Sequence, residues 1–236
     1  MKATPPNQRA PKHMKMDNVF ALTEKVRKHV IGDPKWIPEK HVYEYADQSA
    51  KVVAVLKTVR AAQGIQSLYL LCNSGLFIDL GVVYRCINDC EYEVYFLLEE
   101  FPKTSVTVDR FVSAFFDSTI DGFLSIDAEH VPTKKIRAAA VRVLHDQQQN
   151  EETRLRMERV YKTFSGYVHA SYAHIMEIYG GPSRDFNLPG IPSITEHLQR
   201  MEFVDLACNS VLFSLAFITQ KLGLAELRRE ILSQLH

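Results

Sequence analysis

The stretch that most constrains the fold is residues 66 to 101, which are apolar on nearly all sides and contain no proline before Pro102. A helix that is apolar all round must be buried, because none of its sides is suited to water. Glycine weakens a helix and marks the places where it can break. The stretch therefore predicts one central helix, or a pair of helices that break between Gly75 and Gly81.

Helical spacing also governs most of the remaining chain. Between residues 40 and 62 apolar side chains recur at three- and four-residue intervals, and Gly64 can end that helix. Ser193 and Glu196 have the S-x-x-E spacing of a capping box, which predicts a helix from there to about residue 221. Further helices are predicted at 18 to 30 after an Asp17 N-cap, at 109 to 124, at 133 to 150, from there on to Tyr179, and at 224 to 235.

The sequence predicts an all-α fold. No segment alternates polar and apolar residues cleanly enough to require a sheet. Residues 1 to 16 combine three prolines with four basic residues and no acidic one, so we expect a disordered basic tail there. Residues 17 to 236 are then expected to form one domain, a helical bundle of about seven helices.

The charges of the chain balance, with 28 Lys and Arg against 28 Asp and Glu and a formal net charge of +0. No global field therefore draws the protein to nucleic acid or to an anionic membrane. A local basic run remains between residues 133 and 162, where eight basic residues stand against four acidic ones. Such a run is typical of a solvated helix face, and a nucleic-acid-facing stripe is the alternative.

Several features favour a soluble cytoplasmic protein. The N-terminus lacks the apolar segment of a secretory signal, and the longest apolar run, VLFSLAFI, is shorter than the roughly 20 residues that cross a bilayer. The four cysteines form no C-x-x-C pair, which favours free thiols. The E-x-x-H motif of di-metal bundles does not occur. We expect no metal, no cofactor and no membrane contact.

Three polar residues stand out on the central helix. On a helical wheel Arg85, Asp89 and Tyr92 fall within one narrow sector. Arg85 and Asp89 are four residues apart, so each charge can be met by the other. Two interpretations follow. The pair is either a buried structural ion pair that joins helices, or Arg85 binds the phosphate or carboxylate of a ligand.

The stretch FSGYVHASYAH, residues 164 to 174, places two histidines, two tyrosines and two serines in a predicted helix. Ser165, His169 and Tyr172 form a border between two faces of that helix. An imidazole with a pKa of about 6.5 can act as acid or base, and a core imidazole that is only hydrogen-bonded is the alternative. Neither an orienting carboxylate nor a nucleophile elbow accompanies Ser165, which disfavours a serine hydrolase. The large face holds Phe164, Val168 and Ile175, and the small face holds Gly166, Ala170 and Ala173.

The segments VVYRCINDCEYEVYFL and YKTFSGYVHASY together resemble a family of helical bacterial proteins of unknown function. The matching positions are Arg85, Ser165, Gly166 and His169. That family is distantly similar to HEPN-type and abortive-infection proteins, some of which cleave RNA with an Arg followed four to six residues later by a His at a dimer cleft. Here Arg159 precedes His169 by ten residues, which departs from that spacing.

Two functions from different classes follow. The first is a binding or interaction module, self-associating, whose polar pocket takes a small molecule or nucleic acid. The second is a metal-independent ribonuclease of a defence or toxin system, with His169 as general acid or base and Arg85 stabilising the charge on phosphorus. The pocket of the first is expected to be lined by Arg85, Asp89, Tyr92, Ser165, His169 and Tyr172.

Overall fold

The structure is a computed structural model that describes residues 11–117, 131–144, 150–181 and 184–235. These residues are predominantly helical, which confirms the all-α prediction. Seven of the helices in these ranges have twelve residues or more, and three shorter ones follow or separate them. In chain order the elements are α1 (Pro11–Ile31), β1 (Lys35–Ile37), β2 (Val42–Glu44), α2 (Ala50–Asn73), α3 (Phe77–Leu98), α4 (Val106–Asp117), α5 (Thr133–Leu144), α6 (Asn150–Val168), α7 (Tyr172–Met176), β3 (Tyr179–Gly180), β4 (Asp185–Phe186), α8 (Ile194–Arg200), α9 (Glu202–Lys221) and α10 (Ala225–Leu232).

The core forms where α2 and α3 pack against each other and against α9. α1 covers α2, whereas α5 and α6 cover α3. Gly64 lies inside α2 and does not end it. A Cβ at that position would stand 2.8 Å from the side chain of Ile87 on α3. A small residue is needed there for the close approach of the two helices. Fully buried side chains from the central helices include Leu68, Leu80, Tyr95, Leu212 and Leu215.

The predicted break in the long apolar stretch is found at Gly75, between α2 and α3. Gly75 has a φ of +67°, which a residue with a side chain rarely adopts. Its carbonyl accepts a hydrogen bond of 3.0 Å from the backbone N–H of Ile191. Gly81, the other predicted break, lies within α3 under the ring of Tyr167. The pair of helices is therefore confirmed, and the break is at the first glycine.

The N-terminal half of the chain differs from the prediction in two places. α1 begins at Pro11, so residues 11 to 16 are helical and Asp17 is not an N-cap. The expected tail at 1 to 10 lies outside the described residues. α2 begins at Ala50 and not at about residue 40 as predicted. Residues 35 to 44 instead form a short antiparallel hairpin in which Trp36 pairs with Tyr43. Their ring centroids are 5.0 Å apart, a cross-strand contact that helical periodicity does not reveal.

The C-terminal third confirms the capping box and corrects the helix before it. Ser193 Oγ accepts a hydrogen bond from the backbone N–H of Glu196, and helix continues through α8 and α9 to Lys221. The helix that was predicted to reach Tyr179 ends at Val168, and β3 and β4 form a second hairpin after it. Parts of the helices predicted at 109 to 124 and 133 to 150 lie outside the described residues.

Among the described residues, one stretch has the length and composition of a membrane-crossing helix, contrary to the expectation from the longest uninterrupted apolar run. It is Ile194–Lys221, with 28 residues and a mean hydropathy of 1.6 in its most apolar window. Of that window, 56% is buried inside the fold. The core helix of a soluble protein passes the same test, so the stretch is weak evidence for a membrane.

Candidate functional site

Arg85, Asp89 and Tyr92 lie in one region of α3, as the helical wheel predicted. Arg85 is 7% exposed, and its guanidinium pairs with the carboxylate of Asp89 one turn later. The Arg85 Cζ also lies 3.9 Å from the ring centroid of Tyr161 on α6. Tyr92 is buried in the same region, and burial raises the pKa of its phenol well above its usual range. The geometry supports the structural interpretation, because the Asp89 carboxylate meets the charge of Arg85 and the Tyr161 ring covers the face of its guanidinium.

A second arginine completes this cluster and was not predicted from the sequence. The Arg137 Cζ, from α5, lies 3.8 Å from the centroid of the same Tyr161 ring. The Tyr161 ring therefore joins α3, α5 and α6 through two cation–π contacts. We call Arg85, Asp89, Arg137 and Tyr161 the arginine cluster. The only sequence signal for Arg137 was its place in the basic run, and that run does not show which side of the helix the arginine side chain lies on.

The stretch FSGYVHASYAH is not one helix. The backbone N–H of Ser171 donates to the carbonyl of Gly166 over 2.9 Å, and Ala170 has a φ of +48°. This left-handed turn ends α6 and starts α7 in a new direction. The predicted border of Ser165, His169 and Tyr172 is therefore wrong, because the wheel assumed a helix that continues past Val168.

The exposure of the side chains on both sides of the turn also differs from the prediction. His169 is exposed and Ser165 is half-buried. Tyr172 is 80% exposed, so it is not packed against Ser165 and His169 as the wheel placed it. Val168 and Ile175, expected on the large apolar face, are exposed, whereas Phe164 is buried as expected. The close approach predicted at Gly166 does occur, but its partner is the ring of His174 from the same stretch.

A polar cluster that the sequence did not predict lies beside this turn. The Tyr167 hydroxyl donates to Glu177, with both carboxylate oxygens at 3.0 Å, and Arg200 pairs with Glu177 over 2.9 Å. Ser171 Oγ is 2.6 Å from His174 Nδ1, and the His174 ring centroid is 3.9 Å from that of Tyr167. Burial raises the pKa of Tyr167. We call these five residues the tyrosine cluster. Its two charged groups, Glu177 and Arg200, are paired with each other. The contacts of the cluster join α6, α7 and α8, which is a structural role.

The two proposed catalytic groups are not brought together. Arg85 is held at Tyr161, whereas His169 follows the end of α6. The helix between Tyr161 and His169 rises roughly 12 Å at about 1.5 Å per residue. In the part of the chain that the structure describes, no hydrogen bond or ion pair links the two side chains. Proton transfer needs hydrogen-bond reach, so a shared ribonuclease centre has no support from this geometry.

Metal-ligating residues do not converge in the described ranges. No group of three or more His, Cys, Asp or Glu side chains there could hold a metal ion. None of the four cysteines, all of which lie in the described ranges, forms a disulfide; Cys72, Cys90 and Cys208 are buried and Cys86 is exposed. Burial raises the pKa of Cys90 to about 11 and that of Cys208 to about 12. Both thiols are therefore protonated and unreactive at neutral pH.

An exposed apolar surface is the most prominent feature of the segment 168–198. Among the described residues, eight of the sixteen large hydrophobic side chains that are exposed lie in this segment. The rings of Tyr179 and Phe186 contact each other across the β3–β4 hairpin, with centroids 5.0 Å apart. We call the eight residues the apolar surface: Val168, Tyr172, Ile175, Tyr179, Phe186, Leu188, Ile194 and Leu198.

The structure thus offers a partly buried arginine cluster, a paired tyrosine cluster and an exposed apolar surface, without a catalytic centre joining Arg85 to His169. Comparison of the chain with models of protein families, with characterised proteins and with solved structures finds no match to any of them.

Proposed function

We propose that the protein is a non-enzymatic interaction module that self-associates through the apolar surface. The observation that carries this proposal is the concentration of exposed large hydrophobic side chains in one short segment. Isolated exposed hydrophobic residues are normal on any protein, whereas a group of this size marks an interaction site.

The area of the apolar surface fits a stable interface. The exposed fractions of its residues run from 37% to 80%. A large apolar side chain offers on the order of 150 to 200 Å² when fully exposed, so together they present on the order of 800 Å². A standard interface buries about 800 Å² on each partner, so this summed exposure is large enough to supply one side of such an interface.

The apolar surface is held in place by the rest of the fold. Glu177 and Arg200 tie the start of the segment to α8 over 2.9 Å. Asn187 Nδ2 donates to the carbonyl of Ile178 over 3.0 Å. The backbone N–H of Ile191 donates to the carbonyl of Gly75, just after the end of α2. A surface that is already ordered loses little conformational entropy on binding. This rigidity suits a docking face better than a disordered loop.

A second copy of the chain is the partner that the charge favours. The formal net charge of the chain is +0, so two copies meet without long-range repulsion. The exposed Arg184 and Asp185 stand next to each other at the start of β4, which places both charge signs beside the apolar residues. A two-fold interface brings such a patch against itself and can pair opposite charges across the axis.

Sedimentation velocity of the full chain across the micromolar range tests this proposal. We expect a monomer–dimer equilibrium. Leu188→Glu and Tyr172→Glu place a charge at positions that are 76% and 80% exposed, so the fold is not disturbed. Burying that charge in the interface should raise the dissociation constant at least about tenfold.

The matched control is Val106→Glu, which changes an apolar residue that is 69% exposed at the start of α4, outside the apolar surface. It should leave the dissociation constant unchanged. A chain that is monomeric throughout the range, or a dimer that Val106→Glu weakens as much as Leu188→Glu does, overturns self-association through this surface. A monomer would assign the surface to a partner of another kind.

A further inference from the structure

A groove between α5 and α6 lies apart from the apolar surface. Its volume is about 480 Å³, within the range of small-molecule sites, about 300 to 1,000 Å³. Three of its lining residues are apolar, namely Ala138, Val141 and Met157. The others are charged, with Lys134, Arg137 and Arg154 on the basic side and Glu158 on the acidic side.

The cations of the groove exceed its local carboxylates. Arg154 is paired with Glu151 and Glu158, and Glu158 also pairs with Lys162 over 3.0 Å. Lys134 forms neither an ion pair nor a side-chain hydrogen bond anywhere in the described chain. Arg137 likewise has no ion pair among the described residues. Lys162 and, more weakly, Arg154 and Arg137 lower the pKa of Glu158. Arg137 is therefore within electrostatic reach of that carboxylate, whereas Lys134 has no carboxylate partner among the described residues.

Arg137 is held in position before any ligand arrives. Its guanidinium stacks on Tyr161, whose ring is also contacted by Arg85, and Arg137 is the member of the arginine cluster that lines the groove. The buried Arg137 Nε has no acceptor in the part of the molecule described. The Arg137 Nη groups likewise make no hydrogen bond among the described residues, and a guanidinium that is fixed by stacking with those donors unused is suited to a planar anionic group.

We infer that the α5–α6 groove is a binding site for an organic anion with an apolar body. The anionic head lies between Lys134 and Arg137, and the apolar body lies against Val141 and Met157. Glu158 at the same groove repels a second negative charge, so a singly charged carboxylate fits better than a phosphate dianion. This site shares no residue with the apolar surface and does not depend on self-association.

Calorimetric titration of the full chain with octanoate tests the inference, with octyltrimethylammonium and inorganic phosphate as comparison probes. We expect octanoate to saturate one site per chain. The cation, which has the same tail, should bind at least about tenfold more weakly, and so should phosphate, which lacks the apolar body. Equal binding of octanoate and octyltrimethylammonium would show an apolar groove without anion selectivity and overturn the inference.

Two variants locate the binding. Lys134→Gln removes an exposed charge, and Ala138→Trp fills the groove from an exposed position, so neither disturbs the core. We expect the first to weaken octanoate about tenfold and the second to abolish saturable binding. Lys35→Gln, at an exposed position on β1, is the matched control and should bind as the unchanged chain does. If Ala138→Trp binds normally, the site lies elsewhere and the inference is wrong.

Discussion

α3 and the segment 168–198 satisfy their polar groups in opposite ways. On α3, Arg85 meets Asp89 four residues later on the same helix. In the segment, Glu177 is met by Arg200, 23 residues further along the chain and on another helix. A pairing within one helix can be found on a helical wheel, whereas a pairing between elements depends on where the chain turns. The first was therefore predicted and the second was not.

The two regions also differ in how they treat apolar residues. α3 buries its large side chains among α2, α6 and α9, whereas the segment exposes its own on the apolar surface. The segment is fixed to the core at a few points, of which Gly75 and Ile191 form one. Substitutions at Gly75 and in the core measure how strongly that attachment and the core itself contribute to stability.

The largest effect is expected for Gly75→Ala. A Cβ there would stand 2.2 Å from the carbonyl oxygen of Ile191, at a φ of +67°. Clash and backbone strain together should lower the free energy of unfolding by about 4 kcal/mol. Urea denaturation measures it. Gly223→Ala is the matched control, with a φ of +71° and no atom within 4 Å, and should cost about 1 kcal/mol. Equal costs would mean that the segment does not press against the core at Gly75.

The next effect concerns a buried carboxyl group on α3. Burial raises the pKa of Glu91 from 4.5 to about 7, although hydrogen bonds with Ser210 and Tyr95 act in the opposite direction. The folded state then keeps a proton that the unfolded state has released, so stability falls as pH rises from about 4.5 to about 7. The total loss is about 3 kcal/mol.

Glu91→Gln removes this dependence while keeping an acceptor for the Tyr95 hydroxyl, which lies 3.0 Å from Glu91 Oε1. Thermal unfolding at several pH values compares the variant with the unchanged chain. The advantage of Glu91→Gln should grow across that pH window and stay constant above it. Glu226→Gln, at an exposed site on α10, should leave the pH profile as it is. A parallel profile for Glu91→Gln and the unchanged chain would contradict burial of this carboxyl.

The smallest effect distinguishes the two histidines of FSGYVHASYAH. His174→Ala loses the contact with Ser171 at 2.6 Å and the packing on Tyr167, which should cost about 1–2 kcal/mol. His169→Ala changes an exposed side chain and should stay within about 0.5 kcal/mol. Chemical denaturation of both variants measures the difference. A larger cost at His169 than at His174 would restore the predicted border.

Much of the fold followed from periodicity, and the exceptions share a cause. The break at Gly75, the Ser193 cap and the α3 sector of Arg85, Asp89 and Tyr92 are local features and were predicted. The end of α6 at Val168 was not predicted, because the helical pattern continues past it and the left-handed turn uses Ala170 in place of a glycine. His169, in that turn, and Tyr172, beyond it, were misplaced with it.

Apolar spacing, glycine position and capping residues are short-range properties, and they specify an all-α chain whose central helix pairs a buried Arg85 with a partly exposed Asp89. The meeting of Arg137 with Tyr161, the pairing of Glu177 with Arg200 and the outward face of the apolar surface join residues from different elements. Such contacts depend on the directions in which helices leave their turns, because a change of direction at one backbone position moves every side chain that follows. Tertiary structure alone decided them.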